Sequence, residues 1–296
     1  MSNKHKSSVL LALIYLIIGH LCVSAQVVIG ENNQLPFNYQ IKVKQFNEFV
    51  DRFNYERDFL NQDIGPSFSG KITRQQYIGL LFDHSSIPRN NSTGENAGNN
   101  ALIVGFIQTV CRDSLFIDKY SELVYAELKC RVTINEKSRV IAVLLKQEID
   151  HGLKWSIVSV HSNDSIGKKK QGSAGQYAGQ SIDKEQPEYI PPLSNETNFI
   201  VLKKILTDRN NLGLYSARNF IPGRVNNFYY AIGTGELKFK YVESITYYLF
   251  DVPGWTMIVR NFQRDTENSG WLISEIERIS GDTYPYFKAK FGLGHF

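Results

Sequence analysis

Cysteine, methionine and unbalanced charge are scarce in this sequence. Its 296 residues include three cysteines and two methionines, and the formal net charge is only +4. Two cysteines, Cys111 and Cys130, remain once Cys22 is set aside with the N-terminal segment described below. They have no adjacent pair of histidines, which excludes a zinc motif. A charge so near zero lacks the basic footprint of a nucleic-acid-binding domain. No catalytic, metal-binding or nucleotide-binding motif stands out, so no cofactor or metal is expected.

What is present begins with an export signal. Lys4, His5 and Lys6 precede an apolar run from Val9 to Ile18, and Val23-Ser24-Ala25 supplies the small residues of a cleavage site before Gln26. A basic start, a short apolar stretch and a small-residue exit predict a cleavable secretory signal over 1–25. The apolar stretch falls short of the roughly 20 residues that span a bilayer as a helix. An uncleaved N-terminal anchor is the alternative, and only then is a membrane contact expected. Cleavage after Ala25 would place the chain outside the cytoplasm, periplasmic or secreted, and loss of Lys4 and Lys6 would lower its charge from +4 to +2. An oxidising compartment permits a disulfide between Cys111 and Cys130. However, Cys130 alternates with apolar residues on a predicted strand, which suits a buried free thiol, and both readings stay open.

Beyond the signal the pattern is helix, irregular segment, three long strands, and then the same again. Val43, Phe46, Phe49, Val50 and Phe53 recur at helical spacing. A second helix is predicted over Thr73–Phe82 with Thr73 as its cap, and the Asn- and Gly-rich stretch 83–100 reads as a loop. Strict alternation over Leu123–Ile134 predicts a strand with one buried face. Turns at Asn135–Ser138 and Asp150-His151-Gly152 lead into Arg139–Ile149 and Lys154–His161, an antiparallel meander. Residues 162–194 hold Lys168–Lys170, a Gly/Ser/Gln tract and Pro191-Pro192, and read as a flexible linker. A helix over Asn198–Thr207 follows, capped by Asn195 or Thr197, then a turn-rich segment at Pro222-Gly223. Strands are predicted at Glu236–Phe250, Trp255–Phe262 and Trp271–Ile279, the first with Leu237, Phe239, Tyr241, Ile245, Tyr247 and Leu249 on one face. The expected fold is therefore α+β in two domains, 26–161 and 195–296, each packing N-terminal helices on a curved antiparallel sheet.

Both halves close on a strand led by tryptophan: Trp155 with Ile157 and Val158, Trp271 with Ile273 and Ile276. Helices followed by a curved sheet ending in such a strand resemble the nuclear-transport-factor-two-like superfamily, the cone-shaped α+β fold. The resemblance covers about 43–161 and 196–280, and tandem exported copies are similar to bacterial envelope proteins of unassigned role. It implies a cavity under each sheet that different members use as active site, ligand site or core, so the fold by itself does not give an activity.

The candidate catalytic residues are Asp150, His151 and His161, because a carboxylate beside an imidazole can orient a general base. Against this, Asp150-His151-Gly152 has the composition of a hairpin turn. Trp155, Trp271, Tyr229, Tyr230, Tyr247 and Tyr248 are candidates to line a pocket for a sugar or other amphipathic ligand, though strand aromatics ordinarily pack a core. Glu275 and Glu277 alternate on the face of Trp271 and Ile273, where burial would demand partners; where that face reaches the sheet edge they are solvated, and this is the expected case. Asn-x-Ser/Thr triplets start at Asn90, Asn91, Asn163 and Asn195, glycan acceptors in a eukaryotic secretory route and inert in the bacterial source expected for this chain; Asp164-Ser165-Ile166 resembles an O-glycosylation tripeptide of some Gram-negative envelopes. The sum points to an exported, non-catalytic binding or scaffolding protein of the bacterial cell envelope, with an unknown protein or small amphipathic molecule as partner. An enzyme using a cone cavity for acid–base hydrolysis or dehydration is one rival, and a membrane-tethered subunit of an envelope-spanning machine is another.

Overall fold

Apolar–polar alternation produces the strands where it is strictest. β2 (Val124–Ile134), β3 (Lys137–Ile149) and β4 (Leu153–His161) form the first meander. Its first turn is two residues, Asn135 and Glu136, with φ of 46° and 65°, the left-handed pair that matches strand twist in a type I′ hairpin. β5 (Leu237–Leu249), β6 (Trp255–Phe262) and β7 (Ser269–Arg278) form the second. The structure, a computed structural model, describes residues 41–58, 60–64, 72–83, 95–162, 166, 189–208, 212–265, 268–279, 285–286 and 290. The predicted signal 1–25, most of the linker with Lys168–Lys170, and Asn90, Asn91, Asn163 and Asp164-Ser165 lie outside them.

The α+β class holds, whereas the two-domain organisation is not confirmed. β2 and β5, the first strands of the two meanders, pair antiparallel from Val124 opposite Leu249 to Ile134 opposite Leu237. Strands of both halves therefore belong to one open sheet, in the order β1-β7-β6-β5-β2-β3-β4, where β1 is Lys42–Val43. The described residues all lie within the unit Tyr39–Phe296. β1 (Lys42–Val43) pairs parallel with the start of β7, making the sheet mixed. Val43 is thus a strand residue rather than the first turn of the predicted helix. It lies so close to Gly270 that a Cβ there would sit 1.9 Å from the Val43 carbonyl oxygen, a contact only glycine permits.

The helices α1 (Phe46–Phe53), α2 (Arg74–Leu80) and α4 (Val201–Asp208) follow the apolar spacing read from the sequence. Thr73 caps α2 with a full capping box, accepting from Gln76 N–H while the Gln76 side chain accepts from Thr73 N–H. The proposed caps Asn195 and Thr197 lie several residues before α4, which starts at Val201. Two helices arise where loops were expected. α3 (Glu95–Arg112) begins inside the Asn-rich stretch and is anchored by buried Phe106, Ile107 and Val110. α5 (Pro222–Gly233) starts at the Pro-Gly pair taken as a turn. Proline suits a first turn, where its missing N–H would have no partner anyway.

The inner face of the sheet carries the core. Phe46 of α1 stacks on Tyr247 at 3.8 Å, Tyr247 meets Trp271 at 5.0 Å, and Trp155 meets Phe199 at 5.2 Å. Phe106 of α3 meets Trp255 edge-on at 5.4 Å. α5 packs against β4 and β5, on the face of buried Cys130, Val132, Ile141 and Val143. The outer face is divided. One half is covered by a second cluster, Tyr125, Leu144, Ile221, Tyr248, Phe250 and Ile258, against which Ile279 and Tyr286 pack. No described element covers the other half, the bare half.

Candidate functional site

The predicted acid–imidazole group does not converge. Asp150 and His151 occupy the β3–β4 turn, with φ of 55° at His151 and 144° at Gly152. Lys154 Nζ donates to Asp150 Oδ2 at 2.8 Å, and this ammonium holds the carboxyl below its usual range. His161 ends β4, so the nine residues of that strand, at about 3.3 Å each, separate it from the turn.

His161 has polar neighbours of its own. Arg224 Nη1 hydrogen-bonds to its Nδ1, and Nε2 lies 3.1 Å from Ser159 Oγ. A guanidinium only donates, so Nδ1 is the acceptor and the ring proton sits on Nε2, directed at Ser159. That polarity is opposite to what a base withdrawing the serine proton requires. Burial, and then the Arg224 charge, lower its pKa to about 4, so the ring is neutral at pH 7 without being placed to act as a base.

Of the aromatic candidates, the structure gathers Trp155, Trp271 and Tyr247 into the inner core and leaves Tyr229 and Tyr230 on α5. Trp155 Nε1 donates to the Pro192 carbonyl at 2.9 Å, and Tyr229 shares a 3.1 Å hydrogen bond with Ser216. Trp155, Tyr247 and Trp271 are buried, with Phe46 and Phe199 packed over them. The buried Tyr247 hydroxyl has no hydrogen-bond partner among the described residues. Tyr248, placed with them by the sequence, points to the outer face and donates to Glu127 at 2.6 Å.

One open reading is resolved and two expectations are corrected. Cys111 and Cys130 are both free thiols; Cys130 lies in the inner core, where burial pushes its pKa up, and Cys111 sits half-buried in the last turns of α3 near Arg74. Glu275 and Glu277 do not share the face of Trp271, because Ile258 opposes Glu275 while Val259 opposes Ile273. The extra residue, Ser274, is a bulge that reverses alternation and sends both carboxylates outward to Arg260 and Lys290. Finally, 189–194 is no linker: Ile190 is buried and bridges Trp155. Asn195 is buried too, which removes it as an accessible glycan acceptor.

The surface that sequence reasoning missed is the bare half of the outer face. Two bulges in β5, at Lys240 and Glu243, shift its register against β2. They turn Val242 inward opposite Cys130 and bring Tyr241 outward opposite Arg131, contrary to the predicted facing. Across the sheet, Val140, Arg131 and Tyr241 form one row and Ala142, Lys129 and Ser244 the next. Tyr241 is 55% exposed and Val140 41%. Arg131 Nε donates to Glu243 at 3.0 Å. Lys129 and Lys238 are exposed on the same side, with no carboxylate partner among the described residues.

The edges differ as well. Beside β4, Trp155 N–H donates to Ile190, while Ala217 and Ile221 N–H donate to Ile157 and Val158. β7 is covered by β1 and by Leu81 and Asp83, which bond Ile273. β5, by contrast, pairs with β6 only over Thr246–Leu249. Its first half, from Leu237 to Ile245, has β2 as neighbour on one side and no described strand on the other.

Among the described residues no cluster of three or more His, Cys, Asp or Glu is arranged to hold a metal ion, and no helix is long and apolar enough to cross a membrane. No family model, no curated protein and no solved structure matches this chain.

Proposed function

We propose that this is an exported binding or scaffolding protein of the bacterial cell envelope, and that the bare end of its sheet is the contact surface. The observation that carries the reading is the polarity at His161. Of the two histidines among the described residues, one lies in a turn and the other has its acceptor nitrogen engaged by Arg224. An acid–base enzyme needs a positioned group with a free lone pair. The aromatic residues that could have lined a cavity instead pack against one another. Function then falls to the surface, where exposed Tyr241 and Val140 flank Arg131, with Lys129 in the next row. Exposed apolar groups rimmed by polar ones are the ordinary signature of a contact site.

The test is photo-crosslinking in the native host with a reactive residue placed at Tyr241, and separately at Ile200, which is 71% exposed on another part of the surface. A discrete higher-mass species from position 241 and none from 200 is the expected result. Equal labelling, or hydrolysis of an ester panel that disappears in His161→Ala, would turn the assignment toward the rival enzyme. N-terminal sequencing of the same material decides between a free and a tethered protein: Gln26 supports export with cleavage, and Met1 supports the anchored subunit.

A further inference from the structure

We infer that the open edge of β5 accepts one more strand, an extended acidic segment of a partner polypeptide, along residues 238–244. The inference rests on the binding reading above and names the partner's chemistry. An uncovered strand edge presents a row of backbone donors and acceptors that another chain can complete. The β4 edge is bonded at Trp155, Ile157 and Val158, and the β7 edge at Ser269, Gly270 and Ile273. Among the described residues no second strand lies beside β5 from Leu237 to Ile245, nor beside β3 from Lys137 to Ile141, and of the two β5 offers the longer run, with Lys238, Lys240, Tyr241, Glu243 and Ser244 all exposed along it.

Charge selects among the occupants. At this end of the sheet, Lys129, Arg131, Lys137, Arg139, Lys238 and Lys240 stand against Glu136, Glu236 and Glu243. Lys129, Lys238 and Lys240 have no carboxylate partner among the described residues. A second copy of the chain would bring its own Lys238 and Lys240 to the same short edge, like charge against like. Lysines and bulges on an edge are the usual defence against self-pairing, and the same lysines favour an edge of opposite sign. A phosphate polymer would require a longer track of cations, whereas here the excess is small and Tyr241 and Val140 lie at its centre. Alternate residues of a strand share a face, so a segment with acidic residues at every second position would place its carboxylates beside Lys238 on the outer side, with Lys129 one strand further in.

The experiment titrates the isotope-labelled full chain with a short capped peptide alternating glutamate and valine. Expected are amide shifts confined to β5 237–245 and its β2 partners, with slowed hydrogen exchange along that edge. A lysine–valine peptide, and the variant Lys238→Glu/Lys240→Glu, should each bind at least tenfold more weakly, with the variant's melting temperature unchanged. The same acidic peptide with alternate backbone nitrogens methylated should not bind. Absence of binding by the acidic peptide, or equal binding by its methylated form, overturns the inference. So does lysine-dependent binding of heparin or anionic vesicles without binding of the peptide. If crosslinks at position 241 persist while the peptide fails, strand addition alone falls; if the crosslinks are missing as well, the binding reading falls with it.

Discussion

The two halves of β5 obey opposite rules. From Thr246 to Leu249 the strand lies between β2 and β6, with Tyr247 packed in the inner core and Tyr248 under the outer cluster. From Leu237 to Ile245 it has one neighbour among the described strands, two bulges and a row of exposed side chains. The stretch Thr246–Leu249 is packed on both faces and paired on both edges, and contributes stability. Along Leu237–Ile245 one face is exposed and one edge has no described strand beside it, so substitutions there affect recognition more than folding. Within a single strand, the division between structure and function runs between Ile245 and Thr246.

The largest effect that can break this comparison comes from truncating one tyrosine in each half. Tyr247→Ala removes a fully buried ring touching Phe46, Trp155 and Trp271. It should cost about 3–5 kcal/mol, the range for large aromatic deletions in cores. Tyr241→Ala should stay within about 0.5 kcal/mol, as surface changes do. Urea unfolding of both variants checks the pair; similar losses at the two positions would mean that the bare half is structural after all.

A smaller and sharper contrast lies within the covered half. The Tyr247 hydroxyl is buried without a partner among the described residues, whereas the Tyr248 hydroxyl donates to Glu127. A buried polar group left unpaired costs about 1–3 kcal/mol, while a made hydrogen bond contributes about 1 kcal/mol net. Tyr247→Phe should therefore raise stability by up to about 1 kcal/mol, and Tyr248→Phe should lower it by a similar amount. Adjacent residues giving opposite signs in the same denaturant series is the expected outcome.

Much of the covered half was legible in the sequence, and the reason is periodicity. The alternation of Val124, Ala126, Leu128, Cys130, Val132 and Ile134 reports burial directly, and that strand is observed with the expected inner face. The amphipathic spacing of Phe46, Phe49, Val50 and Phe53 did the same for α1. What could not be read is how the two meanders meet. Nothing in Leu237 or Ile134 announces that β5 will lie against β2, since pairing between distant strands is a tertiary choice. Bulges were equally hidden: residues at Lys240, Glu243 and Ser274 that reverse the alternation look like ordinary strand positions. This is why Tyr241 was expected inside, and Glu275 and Glu277 on the tryptophan face. The Asn-rich start of α3 and the Pro-Gly start of α5 have compositions that suggest loops, and in both helices burial of downstream apolar residues outweighs that propensity.

At the rim of the bare half, His161 offers a pH readout. Its pKa is lowered to about 4 in the folded chain, against about 6.5 when unfolded. Between these values the unfolded state binds more protons, so stability rises with pH there. The contribution is fully present above about pH 6.5 and is lost as pH falls through that window toward 4. Asp251, whose pKa burial raises, works with the opposite sign, so the useful quantity is wild type minus His161→Gln. That difference should decline steadily from pH 6.5 to 4 in melts at fixed ionic strength; a flat difference would mean that the imidazole is not held neutral by its surroundings.

The smallest expected effect tests whether the bare half is as independent of folding as its exposure implies. Arg131 and Glu243 pair across the strands at a bulge, each with about a third of its side chain exposed (32% and 30%). Exposed ion pairs contribute about 0–1 kcal/mol and weaken with salt. Glu243→Gln should therefore shift the melting curve by no more than about 1 kcal/mol at low salt, and by less at high salt. It should also add to the positive excess around Tyr241, raising affinity for an acidic strand. A stabilising pair and a recognition surface make opposite demands on this residue: the first predicts loss on neutralising Glu243, the second predicts gain. Measuring melting and peptide affinity on the same variant separates the two roles, and a large loss of stability with no change in affinity would move the boundary between structure and function beyond Ile245.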